Sequence, residues 1–193
     1  MTLFRTIALF AAVGLSACAH PAAKAPVPVH APVMAPPPPP PAPVPYTSAT
    51  AVLHDLADRQ VGTMTFTDTH SGLLISGDVF SIGLGVHGIH LHAVGRCEPP
   101  FTSAGGHFNP TDRAHGFENP HGAHLGDLPN INTPPSGRYR FQYLVPGLTL
   151  KGPKGLLDAD GASIVIHSEG DDYTTDPAGN SGGRIACGVI VAR

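Results

Sequence analysis

Between Gly95 and Pro135 the chain runs for about forty residues of Gly, Pro, Asn, Asp and His without regular alternation of apolar and polar positions. A connection that long is uncommon inside a folded domain unless it is functional or disordered. A second irregular stretch, SEGDDYTTDPAGNSGG, covers residues 168–183. Whatever the flanking segments build must therefore carry two long loops and restrain them by something other than a core.

The flanking segments read as strands. GTMTFTDTHSGLLISGDVF places two short strands around the turn THSG at 69–72, and RYRFQYLV at 138–145 alternates strictly. Tyr139, Phe141 and Tyr143 fall on one face of that run, and Arg138, Arg140 and Gln142 on the other. ASIVIH (162–167) follows the turn signal DADG, and RIACGVIVA (184–192) is a short apolar terminal strand. No stretch keeps a helical period, so the expected class is an all-β sandwich or barrel.

The N-terminus stands apart. MTLFRTIALFAAVGLSAC has one charge at Arg5, a short apolar run and small residues before Cys18. That is the pattern of a secretory signal peptide over residues 1–17, too short for a convincing membrane span. LSAC also has the form of a bacterial lipobox, which makes Cys18 the expected lipidation site and mature N-terminus. Eleven prolines between Pro26 and Pro45 make residues 18–45 an extended tether. At about 3.1 Å per residue it reaches at most roughly 80 Å. The expected location is periplasmic, with attachment to a membrane through the lipid.

Residues 46–193 form the expected folded domain. They hold all 14 acidic residues and nine of the 11 basic ones, a formal charge near −5, which argues against nucleic acid as a partner. With Cys18 lipidated, Cys97 and Cys187 remain from the three cysteines. In an oxidising compartment their default state is a disulfide, a redox-active thiol pair being the other reading.

Seven of the 12 histidines lie between His87 and His124. On a strand, His90 and His92 point the same way while Ile89 and Leu91 face the opposite layer, so two imidazoles can converge on one ion. Alone, that pair is equally an exposed polar strand face. The long loop adds His107, His115, His124 and Asp127. Three imidazoles and a carboxylate make a tetrahedral set suited to Zn(2+), and metal binding supplies folding free energy to a segment without a core.

The segments HGIHLH, SAGGHFNP, HLGDLPN, GLLDADGASIVIH, DDYTTDPAGNSGGR and RIACGVI resemble the copper/zinc superoxide dismutases, specifically exported bacterial ones. The resemblance spans residues from about 50 to 193. It implies a Greek-key β-sandwich or flattened barrel of about eight antiparallel strands with long metal-binding and electrostatic loops. It places copper, cycling between Cu(II) and Cu(I), at His90, His92, His107 and His167, with His167 meeting the His-x-His strand across the sandwich. Zinc falls at His107, His115, His124 and Asp127, with His107 as the bridge.

Asp171 corresponds to a carboxylate linking a copper-side to a zinc-side histidine. Arg184 corresponds to the arginine that guides superoxide anion, and His107 to the residue that carries a proton in the cycle. Lys151 and Lys154 are candidates to extend the field of Arg184. His87 matches a structural histidine, while His121, His54 and His70 have no assigned role. The other reading is a non-enzymatic periplasmic copper/zinc-binding module on the same scaffold, which would be expected to lose Arg184, a copper ligand or the bridge position. The stretches SIGLGVHG and NTPPSGRYRFQYLVPG depart from the family pattern, and the expected oligomeric state stays open between monomer and homodimer.

Overall fold

The structure, a computed structural model, describes residues 47–193. The expected signal peptide, lipidated Cys18 and proline-rich tether lie outside the described residues. The strands are β1 (Ser48–Asp55), β2 (Gln60–Thr69), β3 (Gly72–Phe80), β4 (Gly85–His87), β5 (Ile89–His92), β6 (Ile131–Thr133), β7 (Arg138–Val145), β8 (Ser163–His167), β9 (Arg184–Val189) and β10 (Val191–Ala192). A single-turn 3-10 helix occupies Thr102–Ala104.

Eight strands make one antiparallel sheet in the order β5-β8-β9-β1-β2-β3-β7, with β10 paired to β1. The link from β7 to β8 carries the chain from the end of that order almost to its beginning, a Greek-key crossover. A small β4-β6 pair stands outside it.

Alternation decides what is buried. Ile89, Leu91, Ile164, Ile166 and Ala186 point into one core with Leu53, Phe66, Ile75 and Val79, all fully buried. Each large apolar side chain sealed this way contributes about 1.5–3 kcal/mol. On β7 the expected split holds, with Phe141 buried, Tyr139 and Tyr143 half-buried, and Arg138, Arg140 and Gln142 exposed.

The long loop covers the free edge of β5. Leu91 N–H donates to Gly126 O at 2.9 Å, and Phe108 N–H donates to Leu91 O at 2.8 Å. An uncovered edge strand is a template for unwanted pairing; here its hydrogen bonds go to the loop. Gly126 is required, because a Cβ there would lie 2.5 Å from Leu91 O.

Three features depart from the sequence reading. β5 and β8 are hydrogen-bonded neighbours in one sheet, so His167 meets His90 and His92 along the same face and not across the sandwich. The terminal run 184–192 is two strands, split at Ile190, whose side chain is buried and whose N–H donates to Ala162 O. β1, β4 and β6 lack a strong signal in the sequence: β4 and β6 have three residues each, too few to show a period.

Candidate metal centre

The face of β5, β8 and β9 turned away from the core carries the chemistry. His90 pairs with Val165 and His92 with Ser163. Directly opposed residues share a face, and alternation adds His167 to the same side. Arg184 joins them through a register shift: Ile166 pairs with Ala186, but His167 pairs with Arg184. Ile185 is the extra residue, half-buried against the core. Without that bulge, Arg184 would turn to the apolar side.

His90, His92, His107 and His167 bring one nitrogen each to within 4.8 Å of one another. The second nitrogen of each ring has an acceptor. His90 Nε2 faces Asp171 Oδ2 at 2.8 Å, His92 Nδ1 faces Gly105 O at 3.0 Å, and His167 Nδ1 faces Gly182 O at 3.3 Å. Carbonyls and carboxylates only accept, so the hydrogen sits on those nitrogens. The remaining atoms, His90 Nδ1, His92 Nε2, His167 Nε2 and His107 Nε2, are buried without a protein partner.

Orphaned buried polar atoms are costly and rare, and four lone pairs converging on one point fit a metal. Burial first, then the neighbouring histidines, hold His92 at about 2. Burial likewise leads at His167, which is held at about 3. For His107 burial outweighs the hydrogen bond to Asp127 and sets about 4. Protons therefore do not compete for these three nitrogens at neutral pH.

The second set is His107, His115, His124 and Asp127. The Nδ1 atoms of His107, His115 and His124 converge on Asp127 Oδ1 at 2.9, 3.0 and 3.2 Å. One carboxylate oxygen has two lone pairs and cannot accept three hydrogen bonds, so a cation among these donors resolves the crowding. Asp127 Oδ2 is fixed by the backbone N–H groups of Gly116 and His124, each at 3.0 Å. Burial raises the Asp127 pKa, but its three histidine contacts outweigh it and hold the carboxyl well below the usual range.

Asp171 connects the two sets. Its Oδ1 accepts from His115 Nε2 at 3.0 Å while Oδ2 accepts from His90 Nε2. A third potential cluster, His90, His115 and Asp171, is this same bridge. Burial alone would lower the His115 pKa, yet hydrogen bonds to Asp127 and Asp171 raise it to about 9. Gly179 lets Asp171 sit there: its φ is +62°, and a Cβ would lie 1.8 Å from Asp171 Oδ1.

The guanidinium of Arg184 donates to Phe101 O and Gly105 O, both at 2.6 Å. Gly105 O also serves His92, so one carbonyl fixes a candidate metal ligand and the cation together. The Cys97–Cys187 disulfide joins residues 90 apart and packs with Phe101, Ala104 and Val165. It holds the segment that supplies both carbonyls to the sheet.

Among the described residues, the other histidines belong to neither set. His87 is buried and its Nδ1 donates to His167 O at 2.9 Å. His121 is exposed, and His54 lies 3.7 Å from Asp58. Lys151 and Lys154 are exposed on the β7–β8 connection. Phe101, Gly105, Asn130 and Gly179 escape the sequence reading, because three act through backbone atoms or a missing side chain. The glycine-rich runs SAGG and AGNSGG are the one available hint.

Residues 60–190 match the copper/zinc superoxide dismutase (SODC) family. The copper–zinc superoxide dismutase 2 of Aquifex aeolicus is 46% identical over 146 residues, 74% of this chain and 85% of that protein. The copper–zinc superoxide dismutase of Caulobacter vibrioides is 41% identical over 148 residues, covering 74% and 85%. A crystal structure of a double mutant of a SOD-like protein from Bacillus subtilis superposes with a TM-score of 0.71 at 41% identity, covering 74% of this chain and 96% of that one. With paired histidine clusters suited to copper and zinc and a family match that takes in six of the eight sheet strands, the chain belongs to the copper/zinc superoxide dismutase family, oxidoreductases that use both metals to dismute superoxide.

Proposed function

We propose that copper is held by His90 Nδ1, His92 Nε2, His107 Nε2 and His167 Nε2, and zinc by the Nδ1 atoms of His107, His115 and His124 with Asp127. His107 is then the shared ligand. The observation that carries this reading is the convergence beside Arg184 of four of the five buried imidazole nitrogens that lack protein partners among the described residues, the fifth being His87 Nε2.

Copper supplies the one-electron chemistry, by which one superoxide is oxidised to dioxygen and a second is reduced, with two protons, to hydrogen peroxide. The residues do the rest. Arg184, held by two carbonyls, presents its remaining N–H groups to the anion. His90, His92 and His167 sit on paired strands and cannot shift without breaking the ladder. His107 is the one residue of that set outside the named strands, and with copper present its Nε2 would be the site that takes up one proton transiently and passes it on. Asp127 and Asp171 keep the ring nitrogens oriented, the task such carboxylates perform around metals. Because residues 46–193 carry a formal charge near −5, attraction of the anion is local.

The N-terminal sequence supports export, lipidation at Cys18 and tethering by residues 19–45 to a membrane facing the periplasm. Labelling cells with a radioactive fatty acid tests this; equal label in the Cys18→Ala chain overturns it.

For the centre itself, the experiment is metal stoichiometry and superoxide decay of the purified protein with and without His92→Ala. The reading requires one copper and one zinc in the parent, and loss of copper and of activity in the variant. Uptake of zinc without copper, or decay unchanged by His92→Ala, overturns it.

A further inference from the structure

Asp171 touches a histidine of each metal set, yet it lies on the 168–183 loop, where no strand holds its backbone. Its position is set from elsewhere. Asn130 Nδ2 donates to Asp171 O at 2.8 Å, and Asp171 N–H donates to Asn130 Oδ1 at 2.8 Å. The side-chain amide thus closes a two-bond ring with the main chain of Asp171, as one strand residue does with its partner. Only an amide offers a donor and an acceptor at that spacing.

Asn130 is itself fixed at both ends of its peptide. Its N–H donates to Tyr173 Oη at 2.7 Å, and its carbonyl accepts from Tyr143 Oη at 3.2 Å. Tyr143 belongs to β7, and Asn130 immediately precedes β6. Tyr173 N–H returns to Asp171 Oδ1 at 2.7 Å. A continuous chain of hydrogen bonds therefore runs from the sheet through Asn130 to the carboxylate between His90 and His115.

We propose that Asn130 is a positioning residue for this enzyme, acting through Asp171 to hold the imidazole of His115 in its zinc-binding orientation. The inference rests on the zinc assignment made above. Hydrogen bonds lose strength steeply with distance and angle, so release of the Asp171 main chain frees the carboxylate from His115. Residues that orient metal ligands this way typically change metal affinity by 10–100-fold when altered. Asn130 acts one step further out, so the expected loss is about tenfold.

The test is the zinc dissociation constant of the purified metal-free protein, measured by competition with a chromogenic chelator, with folding checked by circular dichroism. Asn130→Ala is expected to weaken zinc binding about tenfold. Asn130→Asp keeps the size but turns a carboxylate oxygen towards Asp171 O, and is expected to weaken it in the same direction; it carries the test if Asn130→Ala does not fold. In an Asp171→Asn background, Asn130→Ala should add nothing further, which a general loss of packing would not produce. Multiplying losses in that double variant overturn the proposal. So does wild-type affinity in Asn130→Ala and Asn130→Asp when Asp127→Ala has lost zinc. Wild-type affinity in Asp127→Ala overturns the zinc assignment and this proposal with it.

Discussion

His167 is paired in the sheet with Arg184, with Ile185 pushed aside as an extra residue. The shift puts a cation on the histidine face and fastens it to two carbonyls at 2.6 Å. Arg184→Ala should slow superoxide decay on the order of tenfold while leaving copper and zinc content unchanged. Arg184→Lys should fall between, since an ammonium cannot span both carbonyls and still face the anion. Pulse radiolysis gives the rates; metal loss in the alanine variant would show that the arginine holds the site together and does not merely attract substrate.

The disulfide should act on catalysis through that same arginine. Replacing Cys97 and Cys187 by serine is expected to cost roughly 4–5 kcal/mol in the chain-entropy account for a loop of this size. Freed carbonyls at Phe101 and Gly105 should also lower the rate. In an Arg184→Ala background the serine pair should produce a smaller further drop in rate than in the wild type. An undiminished drop would place the effect elsewhere.

Gly179→Ala forces a methyl group into the Asp171 carboxylate and an L residue into a left-handed backbone. The backbone strain alone costs about 1–3 kcal/mol. Zinc should be lost to a chelator more readily than from the parent, whereas Gly137→Ala, also at positive φ but with open space around its Cβ, should lower stability without affecting zinc.

Without metals, stability should peak near pH 6.5. His92, His107 and His167 have folded values of about 2, 4 and 3, below the unfolded 6.5. Their contribution is present above 6.5 and is lost as pH falls through the folded values, because the unfolded chain then binds more protons. His115 runs the other way. Its folded value of about 9 gives stability below 6.5 that disappears as pH rises through 9. At the acid end Asp78, bonded to Arg138, and Asp172, bonded to Thr175, are each held at about 2, so their contributions vanish below pH 4. Urea midpoints of the metal-free protein across pH 3–10 check this; a monotonic rise to pH 9 contradicts the His115 part.

Much of the site is legible in the sequence because it is written in side chains at strand spacing. His90 and His92 two apart, and His107, His115, His124 and Asp127 in one loop, announce their chemistry. Register is harder. Nothing in RIACG reveals that Ile185 bulges, and that displacement decides where Arg184 points. Backbone acceptors such as Phe101 O and Gly105 O have no residue-type signature at all. Asn130 is visible only as the end of LPN, since its role depends on a loop some forty residues downstream. The placement of His167 depends on sheet order, which strand periodicity does not encode.

The covering of β5 by the loop also has a temporal side. In the proposed assignment the zinc donors all fall within residues 107–127, whereas the copper donors are spread from 90 to 167 and need β8 beside β5. Short closures form first and long ones wait for the chain to arrive. A chain folding from its N-terminus can bring His107, His115, His124 and Asp127 together while its last third is still absent, with His115 locked only when Asp171 and Asp176 arrive. The copper face is finished only when β8 and Arg184 arrive. Refolding with zinc alone should therefore order the 107–127 loop before the β5-β8 ladder gains protection from hydrogen exchange, which makes redox capacity the last property the molecule acquires.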